Sequence, residues 1–138
     1  MYLKLADKLC PREVARMLCP GISDEDIEWD YENVYEWVYV DLPGLPFLLD
    51  VNRDHGQSAV DDDRLDSLTN EELANLPSIG PTYITGIDRD RKAIIREIAE
   101  EVIQQLSDKL MTEITVYLGG IDMSVSETEP SKRFEPQG

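Results

Sequence analysis

Residues 28–42 read EWDYENVYEWVYVDL and alternate in character with a period of two. From residue 29 to residue 39 every odd position except Asn33 is aromatic, whereas four of the even positions from 28 to 36 carry carboxylates. This is the period of a β-strand, because successive side chains leave a strand on opposite faces of the sheet. We therefore predict one aromatic face, formed by Trp29, Tyr31, Tyr35, Trp37 and Tyr39, and one acidic face, formed by Glu28, Asp30, Glu32 and Glu36.

A single strand of this length would be about two to three times longer than usual. We expect a bend or bulge near Asn33 that divides an outer arm, residues 28–32, from a core strand, residues 34–42. The core strand is largely apolar at both odd and even positions, which is typical of a strand covered on both faces. This pattern places Trp37 in the core.

Three further segments alternate apolar with other side chains and predict strands, namely residues 47–51, 82–87 and 112–118. A proline at the first position and an apolar stripe predict a short helix at residues 11–18. A capping box predicts a second short helix at residues 70–76. Apolar side chains at spacings of three and four predict one long helix at about residues 89–111, and they are Ile94, Ile95, Ile98, Val102, Ile103, Leu106 and Leu110.

These elements predict an α+β fold, with a mainly antiparallel sheet of about four strands. The long helix, residues 89–111, packs on one face of this sheet, and the shorter helices lie near the N-terminus and in mid-chain. By size, residues 1–125 make a single domain. Residues 126–138 contain two prolines and little that could be buried, so we expect a disordered C-terminal tail.

Acidic residues are concentrated in one part of the chain. The net charge is −16, and residues 22–76 alone hold sixteen acidic and two basic groups, a net charge of −14. A salt-adapted protein would spread its acids over every surface element, whereas residues 77–111 are almost neutral. We therefore predict a localised acidic face that attracts basic partners and repels nucleic acid and anionic membranes. A merely solvated, solubilising surface is the alternative interpretation.

Nucleophilic catalysis by a serine or cysteine triad requires a base near the nucleophile, and histidine, the usual base, is scarce in this chain. His55 is the only histidine, and it lies in an irregular acidic stretch. The sequence contains no G-x-S-x-G, glycine-rich phosphate or dinucleotide-binding motif. Its two cysteines and one histidine fall short of the four ligands of a structural zinc site. We assign no catalytic residue and expect no cofactor.

Residues 50–61 resemble a calcium-binding loop in part. Oxygen donors occupy alternate positions, and a carboxylate stands at the twelfth place. The glycine, however, is at the seventh position rather than the sixth, and a strand rather than a helix precedes it. A polar loop explains the same residues, so we assign no metal site and keep four residues as candidates, Asp50, Asn52, Asp54 and Asp61.

The compartment follows from two features of the sequence. No apolar run approaches the roughly 20 residues that a membrane span needs, and residues 1–9 lack the apolar segment of a secretory signal. We expect a cytoplasmic protein with reduced thiols. If residues 11–18 are helical, Cys10 and Cys19 lie about 12 Å apart at about 1.5 Å per residue, too far for a disulfide.

Three functions agree with these observations. The first is a protein that binds and neutralises a basic partner protein, as immunity proteins and enzyme inhibitors do, through carboxylates and cation–π contacts. Its predicted partner-binding residues are Glu28, Trp29, Asp30, Tyr31, Glu32, Asp61, Asp62 and Asp63. The second is a nucleic-acid mimic, because carboxylates on one strand face repeat about every 6.8 Å, comparable to phosphates. The third is a metal-dependent enzyme or calcium-binding module at residues 50–61, and we favour a binding protein over an enzyme.

Overall fold

A computed structural model describes residues 1–32, 35–54, 81–117 and 132–137. These residues form a seven-stranded antiparallel sheet and two helices, an α+β arrangement, with the strands in the order β2-β3-β4-β5-β1-β6-β7. The elements are β1 (Tyr2–Leu5), α1 (Pro11–Leu18), a 3-10 turn (Asp24–Asp26), β2 (Glu28–Glu32), β3 (Tyr35–Val40), β4 (Leu48–Asp54), β5 (Thr82–Ile87), α2 (Glu100–Leu110), β6 (Ile114–Tyr117) and β7 (Lys132–Phe134).

The prediction of about four strands is wrong. Three strands are too short, or too close to a neighbour, to stand out in the sequence. β1 has four residues and β7 has three, while β2 runs antiparallel to β3 as a strand of its own. β7 falls within the expected tail, yet its Phe134 is only 7% exposed and belongs to the core. The assignment of residues 1–125 to a single domain stays a prediction.

Both helices pack on the same side of the sheet, which we call the helix face. Pro11 occupies the first position of α1, where its missing N–H costs no hydrogen bond. α1 forms over the predicted residues, 11–18. The helices bury Val14, Ala15 and Leu18 from α1, and Ile103, Leu106 and Leu110 from α2. These side chains close the core against the apolar side of the central strands.

The long helix predicted at residues 89–111 is also wrong, because α2 begins only at Glu100. Residues 88–95 instead form a turn and a short extended segment beside β5. The Asp88 N–H donates to the Ala93 carbonyl at 3.0 Å, and the Ile95 N–H donates to the Gly86 carbonyl at 2.8 Å. A Cβ on Gly86 would lie 3.1 Å from the Ile95 Cβ, so the glycine permits this close approach.

The stretch 28–42 does not bend but reverses direction. β2 and β3 form an antiparallel hairpin in which Glu32 lies opposite Tyr35. Residues opposite each other share a face, so the reversal places even positions of β2 with odd positions of β3. The predicted separation into one aromatic and one acidic face is therefore wrong.

Two predicted features fall outside the described residues, namely the helix at residues 70–76 and the acidic run at residues 61–63. Neither helix in the described ranges is long and apolar enough to cross a membrane.

Candidate partner-binding face

The hairpin places carboxylates and aromatic rings side by side on the sheet face opposite the helices. Glu28 lies opposite Tyr39, and Asp30 lies opposite Trp37. On the next strand, Asp50 lies opposite Tyr39. Because opposed residues point to the same side, these five residues form one surface, which we call the acidic–aromatic face. Glu28 and Asp30 are exposed, and the other three are partly buried.

A guanidinium group of the same chain already contacts this face. The Arg91 guanidinium carbon lies 4.4 Å from the centroid of the Tyr39 ring. The same guanidinium forms an ion pair with the Glu28 carboxylate through Nη2 and Oε2. Tyr39 and Glu28 are cross-strand neighbours, so one cation contacts a ring and a carboxylate at once. The face thus holds the Arg91 guanidinium by a cation–π contact and by charge.

Asp50 adds a partly buried carboxylate beside Tyr39. Burial raises the pKa of Asp50, and a hydrogen bond from Asn52 Nδ2 at 3.3 Å opposes that effect. The pKa of Tyr39 is also raised, first by burial and then by the negative charge of Asp50. The Tyr39 phenol therefore stays neutral at physiological pH. Its ring offers an electron-rich surface, with carboxylates on both neighbouring strands.

Arg89 fixes the turn that carries Arg91. Its guanidinium donates to both carboxylate oxygens of Asp41 at 3.0 Å each, and to the Leu45 carbonyl at 2.8 Å. Such paired, charge-assisted hydrogen bonds have well-defined geometry. They hold the pKa of Asp41 below its usual range and raise that of Arg89. Since Asp41 directly follows β3, the turn is tied to the end of the strand that carries Tyr39.

Three other tyrosines on this side of the sheet have a structural role. The Tyr2 ring stacks on Tyr117 with centroids 5.1 Å apart and meets Tyr83 edge to face at 5.4 Å. All three are buried, with at most 8% of the residue exposed. They join β5, β1 and β6 across the middle of the sheet and contribute little exposed surface to this side of it.

Trp29 lies on the other side of the sheet from Glu28 and Asp30. It is opposite Val38, and it packs partly buried against the core of the helix face. The Arg12 guanidinium carbon lies 4.6 Å from the centroid of its ring. Trp29 thus lies on the opposite face from Glu28 and Asp30, as the period of two predicts, although all three are among the predicted partner-binding residues.

The remaining predicted site residues are only partly described. Tyr31 and Glu32 continue β2, opposite Glu36 and Tyr35. Asp61, Asp62 and Asp63 lie outside the described residues. Among the metal candidates, Asp50, Asn52 and Asp54 belong to β4, and Asp61 again lies outside. Within the described ranges, no three His, Cys, Asp or Glu side chains are close enough together to hold a metal ion.

Glu36, predicted in the acidic row, is instead buried on the helix face. Its Oε1 lies 2.9 Å from Arg53 Nε, and each side chain is 1% exposed. The Cys10 thiol lies close by, and its pKa is raised chiefly by burial, although the charge of Arg53 opposes the shift. A paired, dehydrated ion pair beside a thiol of raised pKa is a structural arrangement, so these residues are not part of the candidate site.

A cleft of about 460 Å³ opens elsewhere, between the C-terminal end of α1, the loop after β3, and α2. Its walls are mainly apolar, with Leu18, Leu42 and Leu106 among them, and Asp41 and Lys109 are its charged lining residues. Asp41 is already bound by Arg89. The cleft can accept a small apolar group, but its lining residues do not combine into a reactive site.

Sequence reasoning missed the two aromatic residues that matter most here. An alternation that continues unbroken from residue 28 to residue 42 predicts Trp37 in the core and Tyr39 on a face without acids, whereas β2 and β3 are separate antiparallel strands. Asn33, a residue favoured in turns, was the one local sign of a reversal. Arg91 gives no sign in the sequence, because it falls within the helix predicted at residues 89–111, which does not begin until Glu100.

Comparisons with family models, curated proteins and solved structures found no match for this chain.

Proposed function

We propose that this chain is a cytoplasmic binding protein that engages and neutralises a basic partner protein through the acidic–aromatic face. The observation that carries the proposal is the Arg91 guanidinium held between Tyr39 and Glu28. It supports the proposal, because a guanidinium fits beside this ring and this carboxylate at the same time. A basic partner supplies the same chemistry through its own arginine or lysine side chains.

The composition of the face supports a protein partner. Trp37 and Tyr39 offer rigid contact area at little cost in side-chain entropy, as do the aromatic residues that dominate many interfaces. Glu28 and Asp30 lie at the exposed margin, where charges mainly speed encounter with an oppositely charged partner. The net charge of −14 in residues 22–76 extends this attraction beyond the contact itself.

The neighbouring rings also favour this proposal over a nucleic-acid mimic. A mimic would need a surface dominated by carboxylates at phosphate-like spacing, whereas Glu28 and Asp30 on β2 have the rings of Tyr39 and Trp37 directly beside them on β3. Rings in these positions suit apolar and cation–π contacts with a protein side chain. Competition by duplex DNA for the captured partner would instead support the mimic.

The experiment is affinity capture of cytoplasmic proteins on the immobilised chain, followed by mass spectrometry. The test variant is Asp30→Asn combined with Trp37→Ala. The control is Glu13→Gln combined with Glu101→Gln, which removes two exposed acids from the helices on the other side. We expect a basic protein that the wild type and the control retain and the test variant loses. Equal capture by all three, or capture of no basic protein, would contradict the proposal.

Association kinetics with the captured protein provide a second measurement. Because the exposed carboxylates act by steering, Glu28→Gln combined with Asp30→Asn should slow association and reduce its dependence on salt. Trp37→Ala should instead speed dissociation, since it removes contact area. An association rate that is indifferent to both neutralisation and ionic strength would leave the acids as a solubilising surface.

A further inference from the structure

Arg91 has an unusual backbone conformation for the position it occupies. Its φ is +61°, in the left-handed region that side chains other than glycine and asparagine seldom adopt. The turn is held by hydrogen bonds to Asp88, whose carbonyl accepts from the Arg91 N–H at 2.9 Å and whose carboxylate accepts from the Lys92 N–H at 2.8 Å. This conformation directs the Arg91 side chain onto the acidic–aromatic face.

The Tyr39 ring and the Glu28 carboxylate, which Arg91 contacts, are better suited to a guanidinium than to an ammonium group. A guanidinium is planar and weakly hydrated, so it can stack on the Tyr39 ring while its N–H edge reaches the Glu28 carboxylate. A lysine ammonium is compact and strongly hydrated and cannot make both contacts through one flat surface. We call the Tyr39 ring and the Glu28 carboxylate together the arginine site.

The contact is also one that can be exchanged. The side chain of Arg91 is 42% exposed and that of Glu28 is 57% exposed. Ion pairs with this degree of exposure contribute little to stability, because water competes for both groups. The hydrogen bonds of the turn and the bidentate contact between Arg89 and Asp41 do not involve the Arg91 guanidinium. Its departure would leave the turn attached.

We infer that the arginine site is the specificity-determining point of the face, and that it receives an arginine side chain of the partner, which displaces Arg91. The inference rests on the proposed function, because it names the partner residue recognised there. Arg91 is then an intramolecular competitor that keeps the site filled until a better-placed arginine arrives. A partner presenting lysine at this point is discriminated against, because it cannot replace both contacts.

The test compares three proteins, namely wild type, Arg91→Gln, and Lys92→Gln as a matched control. Lys92 is exposed and adjacent, so its replacement removes the same charge from the same turn without vacating the arginine site. The probes are N-acetyl-arginine amide and N-acetyl-lysine amide. Their binding is measured by the changes in the NMR shifts of the Tyr39 ring and of the Glu28 backbone amide. We expect Arg91→Gln to bind the arginine probe at least fivefold more tightly than the other two proteins. The lysine probe should show no such gain.

Each outcome decides between the inference and the function on which it rests. Equal binding of the arginine probe by all three proteins, or equal binding of both probes by Arg91→Gln, overturns the inference. If a basic protein is nevertheless captured through Asp30 and Trp37, the proposed function stands without it. If the arginine probe fills the vacated site but no basic protein is captured, the arginine site is supported and the proposed function fails.

Discussion

Glu36 and Arg53 face each other across β3 and β4, with Glu36 Oε1 2.9 Å from Arg53 Nε and 1% of each side chain exposed. Neither charge is near the acidic–aromatic face, although Glu36 belongs to the same hairpin. The pair lies on the helix face, where each group depends on the other because both have lost their hydration. We therefore expect a large change in the free energy of unfolding only when one residue of the pair is replaced without the other.

The first prediction concerns this pair. Arg53→Met should destabilise the chain by about 3–5 kcal/mol, because Glu36 stays buried and loses the positive charge of Arg53. Combining Arg53→Met with Glu36→Met should bring the stability much closer to that of the wild type, since neither charge of the pair remains buried without the other. Urea unfolding of the two variants and of Glu36→Met completes a double-mutant cycle. A double variant as unstable as the sum of the single variants would contradict the dependence of one charge on the other.

The second prediction concerns pH. Because burial raises the pKa of Asp50, the folded state holds this proton more tightly than the unfolded state. The stability from Asp50 is fully present below about pH 4, its unfolded pKa, and is lost as the pH rises through the raised folded value. Asp50→Asn should therefore gain stability relative to the wild type as the pH increases across that window.

Thermal unfolding between pH 3 and pH 8 measures this difference. Asp30→Asn removes one charge from an exposed position of the same face and controls for general repulsion. A difference between Asp50→Asn and wild type that is constant with pH would show that the environment of Asp50 does not alter its proton affinity.

The third prediction tests the close approach beside β5. A Cβ at Gly86 would lie 3.1 Å from the Ile95 Cβ and 3.2 Å from Cδ2 of the Phe47 ring. Gly86→Ala should cost about 1–3 kcal/mol through overpacking. Hydrogen exchange of the Ile95 N–H, which is bonded to the Gly86 carbonyl, should accelerate more than that of the Ile84 N–H. Unchanged exchange at Ile95 would mean that the neighbours move aside without cost.

The fourth prediction concerns β7. Phe134 is 7% exposed, and Ser107 Oγ lies 3.2 Å from its carbonyl oxygen. Phe134→Ala should cost about 3 kcal/mol, as the loss of a buried aromatic side chain does. Arg133→Ala, on the same strand but exposed, should change stability by no more than about 0.5 kcal/mol. If the two variants unfold alike, residues 132–134 do not contribute to the core.

The sequence predicted elements better than their arrangement. The alternation in residues 28–42 identified strand structure correctly, because a period of two depends only on the local backbone. It could not show that Glu32 and Tyr35 pair with each other, and this one pairing decides which side chains share a face. The partnership of Glu36 with Arg53 depends on the next strand in the same way, since the two residues are distant in sequence and adjacent only in the sheet.

The helix boundary failed for a related reason. Ile94, Ile95 and Ile98 fit the spacing of the later apolar residues of α2, yet Ile94 is 50% exposed and Ile95 is bonded to Gly86. Local spacing cannot reveal that β5 offers a hydrogen-bonding edge at Gly86. Ile98 is buried, as expected for a member of the predicted apolar stripe, although it precedes the first residue of α2.

The central place of β1 has a consequence for the order of folding. Strands β2, β3 and β4 are consecutive and can pair through short loop closures soon after they are synthesised. β1 must wait, because Leu3 pairs with Ile84 on one side and with Val116 on the other. Pairings so distant in sequence slow the rate-limiting step and leave partly folded chains open to aggregation. Between the synthesis of β5 and that of β6, β1 has only one of its two neighbours, and a chaperone or a bound partner has that interval in which to act on the nascent chain.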